Sequence, residues 1–303
     1  MTSTQKNSND NNRMAIGFLL VGVAGGLGLD LAAKGLLADY SLTQFVFLRS
    51  CIGLTILVFA VRQFGGLSEL ATRRWGWHLL RSVMATGAMF GFFYGLANMP
   101  LVNALTLGFT SPLMVTALSV PFLRDHVGWR RWTAVIVGFI GVLMILRPGA
   151  NEPTLADAAV LLAAFCYATQ AITARWLADT ESTYALSFYV IVGPMLLSAA
   201  LLGSANWTPP DLAGWSLFLC AGACSVVAWL GFVGGYRRAQ PALLAPFEYT
   251  GLVAGAIAGY LIWDEIPDRW VIVGGIIIIA SGLFVVYRSN SPVNPDCEPV
   301  EDL

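Results

Sequence analysis

Charged residues are scarce in this chain. Only 12% of its 303 residues are Asp, Glu, Lys or Arg, about half the share found in a soluble domain. With 57% hydrophobic residues and a mean hydropathy of +0.69, that deficit excludes a soluble globule and predicts a polytopic, all-α membrane protein. The net charge is −1, so nothing argues for a nucleic-acid partner. Histidine is nearly absent, with only His78 and His126, and no metal constellation can be assembled. The cysteines, Cys51, Cys166, Cys220, Cys224 and Cys297, form no Cys-x-x-Cys pair. Cys220 and Cys224, one helical turn apart in an apolar run, read as packing residues. No GxxxxGK[ST] loop occurs, so direct ATP drive and a bound cofactor are not expected. No Ser/His/Asp set or metal spacing appears, so the chain is not expected to be an enzyme. A membrane-embedded enzyme remains the alternative of another class, beside a channel, which would show rings of repeated polar residues.

What is present is a series of ten apolar segments, at about 14–37, 42–61, 79–98, 101–123, 131–147, 155–178, 183–203, 214–236, 241–263 and 270–287. A bilayer core of ~30 Å needs ~20 residues at 1.5 Å each. The polar ends, 1–13 and 289–303, are expected to be disordered. The first apolar run is long and others follow, which argues against a cleaved leader. Placing the N-terminus inside puts Lys6, Arg13, Arg62, Arg73, Arg74, Arg81, Arg124, Arg130, Arg131, Arg175, Arg237, Arg238 and Arg288 at inner ends, against Arg147 and Arg269 outside. Both termini are therefore expected in the cytoplasm.

An internal repeat is the main organising signal. At a shift of 140 residues, Leu37-Ala38-Asp39 falls on Leu177-Ala178-Asp179, Gly91-Phe92 on Gly231-Phe232, Gly95 on Gly235, Phe109-Thr110 on Tyr249-Thr250, and Asp125 on Glu265. Five spans per copy is an odd number, so the copies must face opposite ways. The expected fold is ten transmembrane helices as two inverted five-helix repeats, 14–149 and 150–288, an architecture of secondary transporters with the site at the repeat interface. Gly87, Gly91 and Gly95, and likewise Gly251, Gly255 and Gly259, recur every fourth residue and suit close helix packing. Pro112 and Pro194 are expected to interrupt their spans.

Polar residues within apolar runs are the candidates for function. Glu248, two turns into the ninth segment with Pro246 before it and Phe247 and Tyr249 beside it, is the first. A charge there costs at least ~2.5 kcal/mol on insertion scales, so such a residue faces a cavity or a partner. Arg49 needs an anionic partner, backbone carbonyls or water, with Glu248, Asp30 or a substrate anion as candidates. Asp30 and Lys34 stand four apart near the outer end of the first span; they read as an ion pair on one helix face or as an outer gate. Gln170 takes the repeat position of Asp30. Glu248, Asp30 and Lys34 are the coupling or gating candidates. Tyr94, Phe109, Thr110, Trp229 and Tyr249 join Arg49 and Glu248 as the substrate-binding set, a group that suits a planar organic ligand better than a bare ion. Trp207, Trp215 and Trp263 read as interfacial belt residues.

Several local patterns resemble one family. They are Arg49 after Phe47-Leu48, the run Phe93-Tyr94-Gly95-Leu96-Ala97 to Met99-Pro100-Leu101, Ala104 to Pro112, and the stretch from Phe122 to Gly149. In the second half they are Pro246, Trp263-Asp264-Glu265, Gly275 and Gly282. On these the chain resembles the EamA branch of the drug/metabolite transporter superfamily across residues 14–288. Asp125 stands where the family often has Glu, and the charge is kept. The resemblance implies a ten-helix inner-membrane carrier of a small organic molecule, with a central cavity lined from both repeats. The first-half motif looks most like the uptake branch of S-adenosylmethionine and riboflavin carriers. A planar ring metabolite is then the lead ligand, with riboflavin first to test; export of amino acids, drugs or other metabolites, and carriage of S-adenosylmethionine, are the alternatives. A monomer and a homodimer both fit the sequence.

Overall fold

The computed structural model describes residues 3–64, 66–123, 128–147, 154–177, 180–203, 207–236, 238 and 241–289. Asp125, Cys297 and the tail after residue 289 lie outside the described residues. All regular structure among those described is helical. The helices are α1 (Ser3–Asp39), α2 (Leu42–Phe64), α3 (Trp75–Asn98), α4 (Leu101–Gly108), α5 (Ser111–Leu123) and α6 (Trp129–Leu146). They continue as α7 (Leu155–Leu177), α8 (Thr183–Leu202), α9 (Leu212–Tyr236), α10 (Pro241–Glu248), α11 (Thr250–Trp263) and α12 (Arg269–Ser289). Helix α1 opens at Ser3, so residues 3–13 extend the first span as helix where disorder was expected. Once a span has nucleated a helix, each further turn adds hydrogen bonds at little cost.

Among the described residues, seven helical segments are long and apolar enough to cross a bilayer, α4 and α5 counting as one. Trp132–Leu146 and Arg269–Val285 are apolar but shorter. Large apolar side chains such as Leu79, Leu219 and Leu261 are exposed, as in a multi-pass membrane protein whose outer surface meets lipid.

In lipid the hydrophobic effect does not drive helices together; close approach of backbones does. The main pairings are α1 with α9, α3 with α7, α6 with α12 and α2 with α8. Glycines make three of them, with Gly141 and Gly274 facing each other between α6 and α12. A Cβ on Gly231 would lie 2.7 Å from the Phe18 carbonyl and 2.3 Å from the Gly22 backbone, so α9 packs on α1 only with glycine there. A Cβ on Gly91 would lie 2.5 Å from the Ala159 carbonyl and 3.1 Å from the Ala163 methyl, the same arrangement between α3 and α7. Gly235 against Ala15 and Leu19 repeats Gly95 against Ala156 and Val160. Pro194 does not interrupt its span: α8 runs through it, a tolerance that membrane helices show where neighbouring groups take up the freed carbonyl.

Candidate functional site

Two helices break, at matching places. The fourth apolar segment splits into α4 and α5 at Phe109-Thr110, and the ninth into α10 and α11 at Tyr249. Proline supplies the weakness: Pro112 opens α5, and Pro246 sits in α10 just before the break. At each break a threonine hydroxyl donates to the carbonyl three residues back, Thr110 to Leu107 at 2.7 Å and Thr250 to Phe247 at 2.6 Å. At the first break the Leu107 carbonyl also accepts the Thr110 amide at 3.1 Å, so the hydroxyl and the amide close one tight turn there. The rings of Phe109 and Tyr249 meet across the gap with centroids 5.1 Å apart.

Beside this contact lies a cavity of about 220 Å³. Asp30, Gly26 and Leu27 of α1 form one wall, and Leu105 and Phe109 at the end of α4 another. Phe232 of α9, Glu248 at the end of α10 and Gly251 of α11 close it. Two carboxylates thus share one space inside the span region, where each costs at least ~2.5 kcal/mol without compensation. Asp30 forms no hydrogen bond or ion pair among the described residues; its electrostatic partner is Arg49. Arg49 is held apart from it: Nε donates to Ser225 Oγ at 3.4 Å, Nη1 lies 3.3 Å from Met89 Sδ, and the guanidinium sits 5.3 Å from the Phe93 ring centre. Tyr167 of α7, exposed on the side away from Leu162 and Phe165, stands within electrostatic range of Glu248.

Lys34 does not pair with Asp30. It points one turn further along α1, where Nζ contacts Glu265 Oε1 at 2.5 Å, donates to the Met99 carbonyl at 3.0 Å and lies 5.3 Å from the Trp263 ring centre. Glu265 Oε2 accepts the Leu101 amide at 2.7 Å, capping the start of α4. A carboxylate at a helix start meets unpaired amides and the positive end of the dipole, and Lys34 completes its charge balance. The i,i+4 pairing expected within α1 loses because Glu265 offers Lys34 a partner that cannot also face the cavity. Asp30 is left to the cavity and to the field of Arg49.

The other end of α3 carries a second cluster. Glu181 accepts from Thr72 Oγ1 at 2.9 Å, and its other oxygen lies 3.2 Å from Nε2 of buried His78. Arg81, also buried, donates to the carbonyls of Gln170 and Leu186 and to Thr173 Oγ1. Along α3 the two clusters are separated by roughly 30 Å at 1.5 Å per residue, the span from His78 and Arg81 to Met99.

Of the substrate-binding set, Glu248 and Phe109 line the cavity and Arg49 acts on it through Asp30. Four others do not line it. Tyr249 is buried, with its hydroxyl against the backbone of Gly282, so it supports Phe109 from behind. The Thr110 hydroxyl is taken by Leu107. Tyr94 is half-buried on α3, one residue past the packed Phe93 and so turned ~100° from it. Trp229 is 39% exposed, and Phe232, one turn on, takes the place at the cavity. Sequence reasoning missed Phe232, Gly26, Leu105 and Tyr167. None carries a charge or a break signal, so only helix rotation reveals them.

The model of the EamA-like transporter family matches the chain twice, over residues 12–147 and 154–287. An S-adenosylmethionine uptake transporter of Rickettsia bellii is 30% identical over 285 residues, covering 93% of this chain and 96% of its own. A riboflavin transporter of Vibrio cholerae is 29% identical over 269 residues, covering 85% and 89%. A pseudopaline exporter of Pseudomonas aeruginosa is 30% identical over 241 residues, covering 78% and 84%. A solved crystal structure with 16% sequence identity superposes with a TM-score of 0.64 over 91% of this chain and 99% of its own, a likeness of fold.

Proposed function

The chain belongs to the EamA-like transporter family, and from that premise we propose that it is a secondary carrier which moves a small organic metabolite through the Asp30–Glu248 cavity by alternating access. The observation that carries this reading is the cavity itself: two carboxylates from distant parts of the chain face one space between five helices of a membrane protein. A purely structural core would pair or exclude Asp30, which forms no hydrogen bond or ion pair among the described residues.

The proposed architecture is ten spans in two inverted units, residues 14–149 and 150–288, with both termini in the cytoplasm and the protein in the inner membrane. Several features support it. Under exchange of the first five spans with the last five, the α1–α9 pairing maps onto α3–α7, while α2–α8 and α6–α12 map onto themselves. Phe109 and Tyr249, 140 residues apart, contact each other, as equivalent residues beside a local two-fold axis must. The broken helices then lie at the unit interface, where carriers of this build place their ligands. Asp125, the counterpart of Glu265, lies outside the described residues.

The proposed solute is a planar ring metabolite, with riboflavin first to test and S-adenosylmethionine second; relatives are named for each. The cavity of about 220 Å³ is below the roughly 300–1,000 Å³ of sites for drug-sized ligands, so a flavin needs the breaks to open it further. Named relatives include both uptake and export proteins, so direction follows from the gradients on the two sides. Glu248 and Asp30 are the proposed coupling groups, and the Lys34–Glu265 pair the proposed outer closure. Thermal-shift screening of the purified protein against a metabolite panel tests the reading. A true ligand stabilises by RT ln(1 + [L]/Kd), about 2.7 kcal/mol at a hundredfold excess over Kd, and a cavity-blind response that survives in Glu248→Gln and Asp30→Asn alike contradicts it.

A further inference from the structure

We propose that a second cavity, at the start of α3, binds the phosphate-bearing headgroup of an acidic phospholipid. This cavity measures about 540 Å³. Arg73 and Arg74 line one side of it, and Thr180 and Glu181 the other. Neither arginine forms an ion pair among the described residues. The Glu181 carboxylate is turned to other partners: one oxygen accepts from Thr72 Oγ1 at 2.9 Å, and the other lies 3.2 Å from Nε2 of buried His78. A guanidinium keeps its charge at any relevant pH, and its planar donors match the oxygens of a phosphate two at a time. Two adjacent arginines at one cavity therefore suit a phosphate ester better than a cation or a neutral solute.

Both walls are held in place before a ligand arrives. The Arg74 amide donates to Thr72 Oγ1 at 2.9 Å, which fixes the turn that carries the two arginines. The Arg74 guanidinium lies 5.8 Å from the Trp176 ring centre, and Trp176 meets Trp77 edge-on with centroids 4.3 Å apart. On the opposite wall Ser182 Oγ donates to the Glu69 carbonyl at 2.6 Å, and the Tyr189 hydroxyl to the Leu70 carbonyl at 3.0 Å. A site ordered in advance loses less freedom on binding. Its depth also fits a headgroup. Helix α3 starts at Trp75, α7 ends at Leu177 and α8 starts at Thr183, so the cavity lies where three spans end. Tryptophan collects at that level of a bilayer. Along α3, Trp75, Leu79 and Val83 are exposed and share one helix face. They make an apolar track that leads away from the arginines for ~12 Å at 1.5 Å per residue, the course of an acyl chain below its headgroup. Basic pockets beside membrane spans take acidic lipids on these grounds. A soluble phosphate ester would use the arginines and leave the track idle.

The inference is independent of the carrier reading, since it uses neither the central cavity nor transport. The test is thermal unfolding of the purified full-length protein in dodecyl maltoside, titrated with phosphatidylglycerol or with zwitterionic phosphatidylcholine. The saturating rise in melting temperature gives an apparent affinity for each lipid. Phosphatidylglycerol is expected to bind at least about tenfold tighter. The double variant Arg73→Gln/Arg74→Gln brings that ratio close to one. Arg130→Gln, which removes an exposed arginine at the start of α6, keeps it. Asp179→Asn, which removes another acid of the α7–α8 connection, does not lower it. Should the double variant not fold, Arg73→Gln alone, at an exposed position, is expected to lower the ratio at least about threefold. Glycerophosphoglycerol, the same headgroup without acyl chains, is expected to leave the lipid effect in place at about tenfold excess over the lipid. Equal affinities for the two lipids, a ratio undiminished in the Arg73 and Arg74 variants, or an equal loss in Arg130→Gln or Asp179→Asn overturns the inference. Full displacement by glycerophosphoglycerol also overturns it and assigns the arginines to a soluble phosphate ester.

Discussion

Glu265 holds three segments together, and its replacement has a calculable cost. Its Oε2 caps α4 through the Leu101 amide at 2.7 Å, and its Oε1 meets Lys34 Nζ at 2.5 Å, with side-chain exposures of 18% and 11% for the pair. A hydrogen bond to a charged group contributes about 1.5–3 kcal/mol, and removing one partner of a fully buried pair costs about 3–5 kcal/mol. The pair is partly exposed, so Glu265→Ala is expected to lose about 2–3 kcal/mol. Lys34→Met leaves the Leu101 cap in place and should lose about 1–2 kcal/mol. The double variant should then cost less than the sum by about 1 kcal/mol or more, since either change alone already breaks the ion pair. Equilibrium unfolding in mixed micelles of the four proteins measures the cycle. A Glu265→Ala effect within about 0.5 kcal/mol of wild type, or strict additivity, would refute the tie between α1, α4 and the segment before α12.

Other outcomes follow from the same geometry. Gly231→Ala and Gly91→Ala push a methyl into the facing backbones of α1 and α7 and should each cost about 1–3 kcal/mol, whereas Gly17→Ala, which meets nothing within 4 Å, should gain up to about 1 kcal/mol in the same unfolding assay. Glu181→Ala leaves His78 and Thr72 without their shared acceptor and should cost about 1–3 kcal/mol, seen as a lowered melting temperature. Trp229→Phe and Tyr94→Phe, away from the cavity, should keep solute flux within about twofold of wild type, a difference of under 0.5 kcal/mol in transition-state energy.

The sequence makes the helices legible and hides their rotations. Apolar runs locate the spans because a bilayer demands some twenty residues and internal hydrogen bonds. Constant-shift matches pick out Gly91 with Gly231 and Gly95 with Gly235, and these glycines make equivalent contacts. The same shift aligns Phe109-Thr110 with Tyr249-Thr250, where both helices break, although the prolines nearby signal the breaks only loosely. Glu248 stands out because charge in an apolar run is costly wherever it points. Lys34 and Asp30 show the limit. Spacing of four says that two side chains share a face, not that they choose each other, and a third residue 231 positions away from Lys34 takes the lysine. Trp229 and Phe232 show it again: both are aromatic on one helix, and the packing of α9 on α1 decides which reaches the cavity.

The central claim is that a solute crosses by way of the acidic cavity, and counterflow into proteoliposomes of the purified protein measures that directly. Vesicles loaded with unlabelled solute should accumulate the labelled compound saturably. Accumulation driven by a pH gradient should vanish in Glu248→Gln while exchange persists, and Asp30→Asn should lower both by about tenfold or more. Flux no faster than in protein-free vesicles for every compound tried, or wild-type flux in both carboxylate variants, would contradict the account.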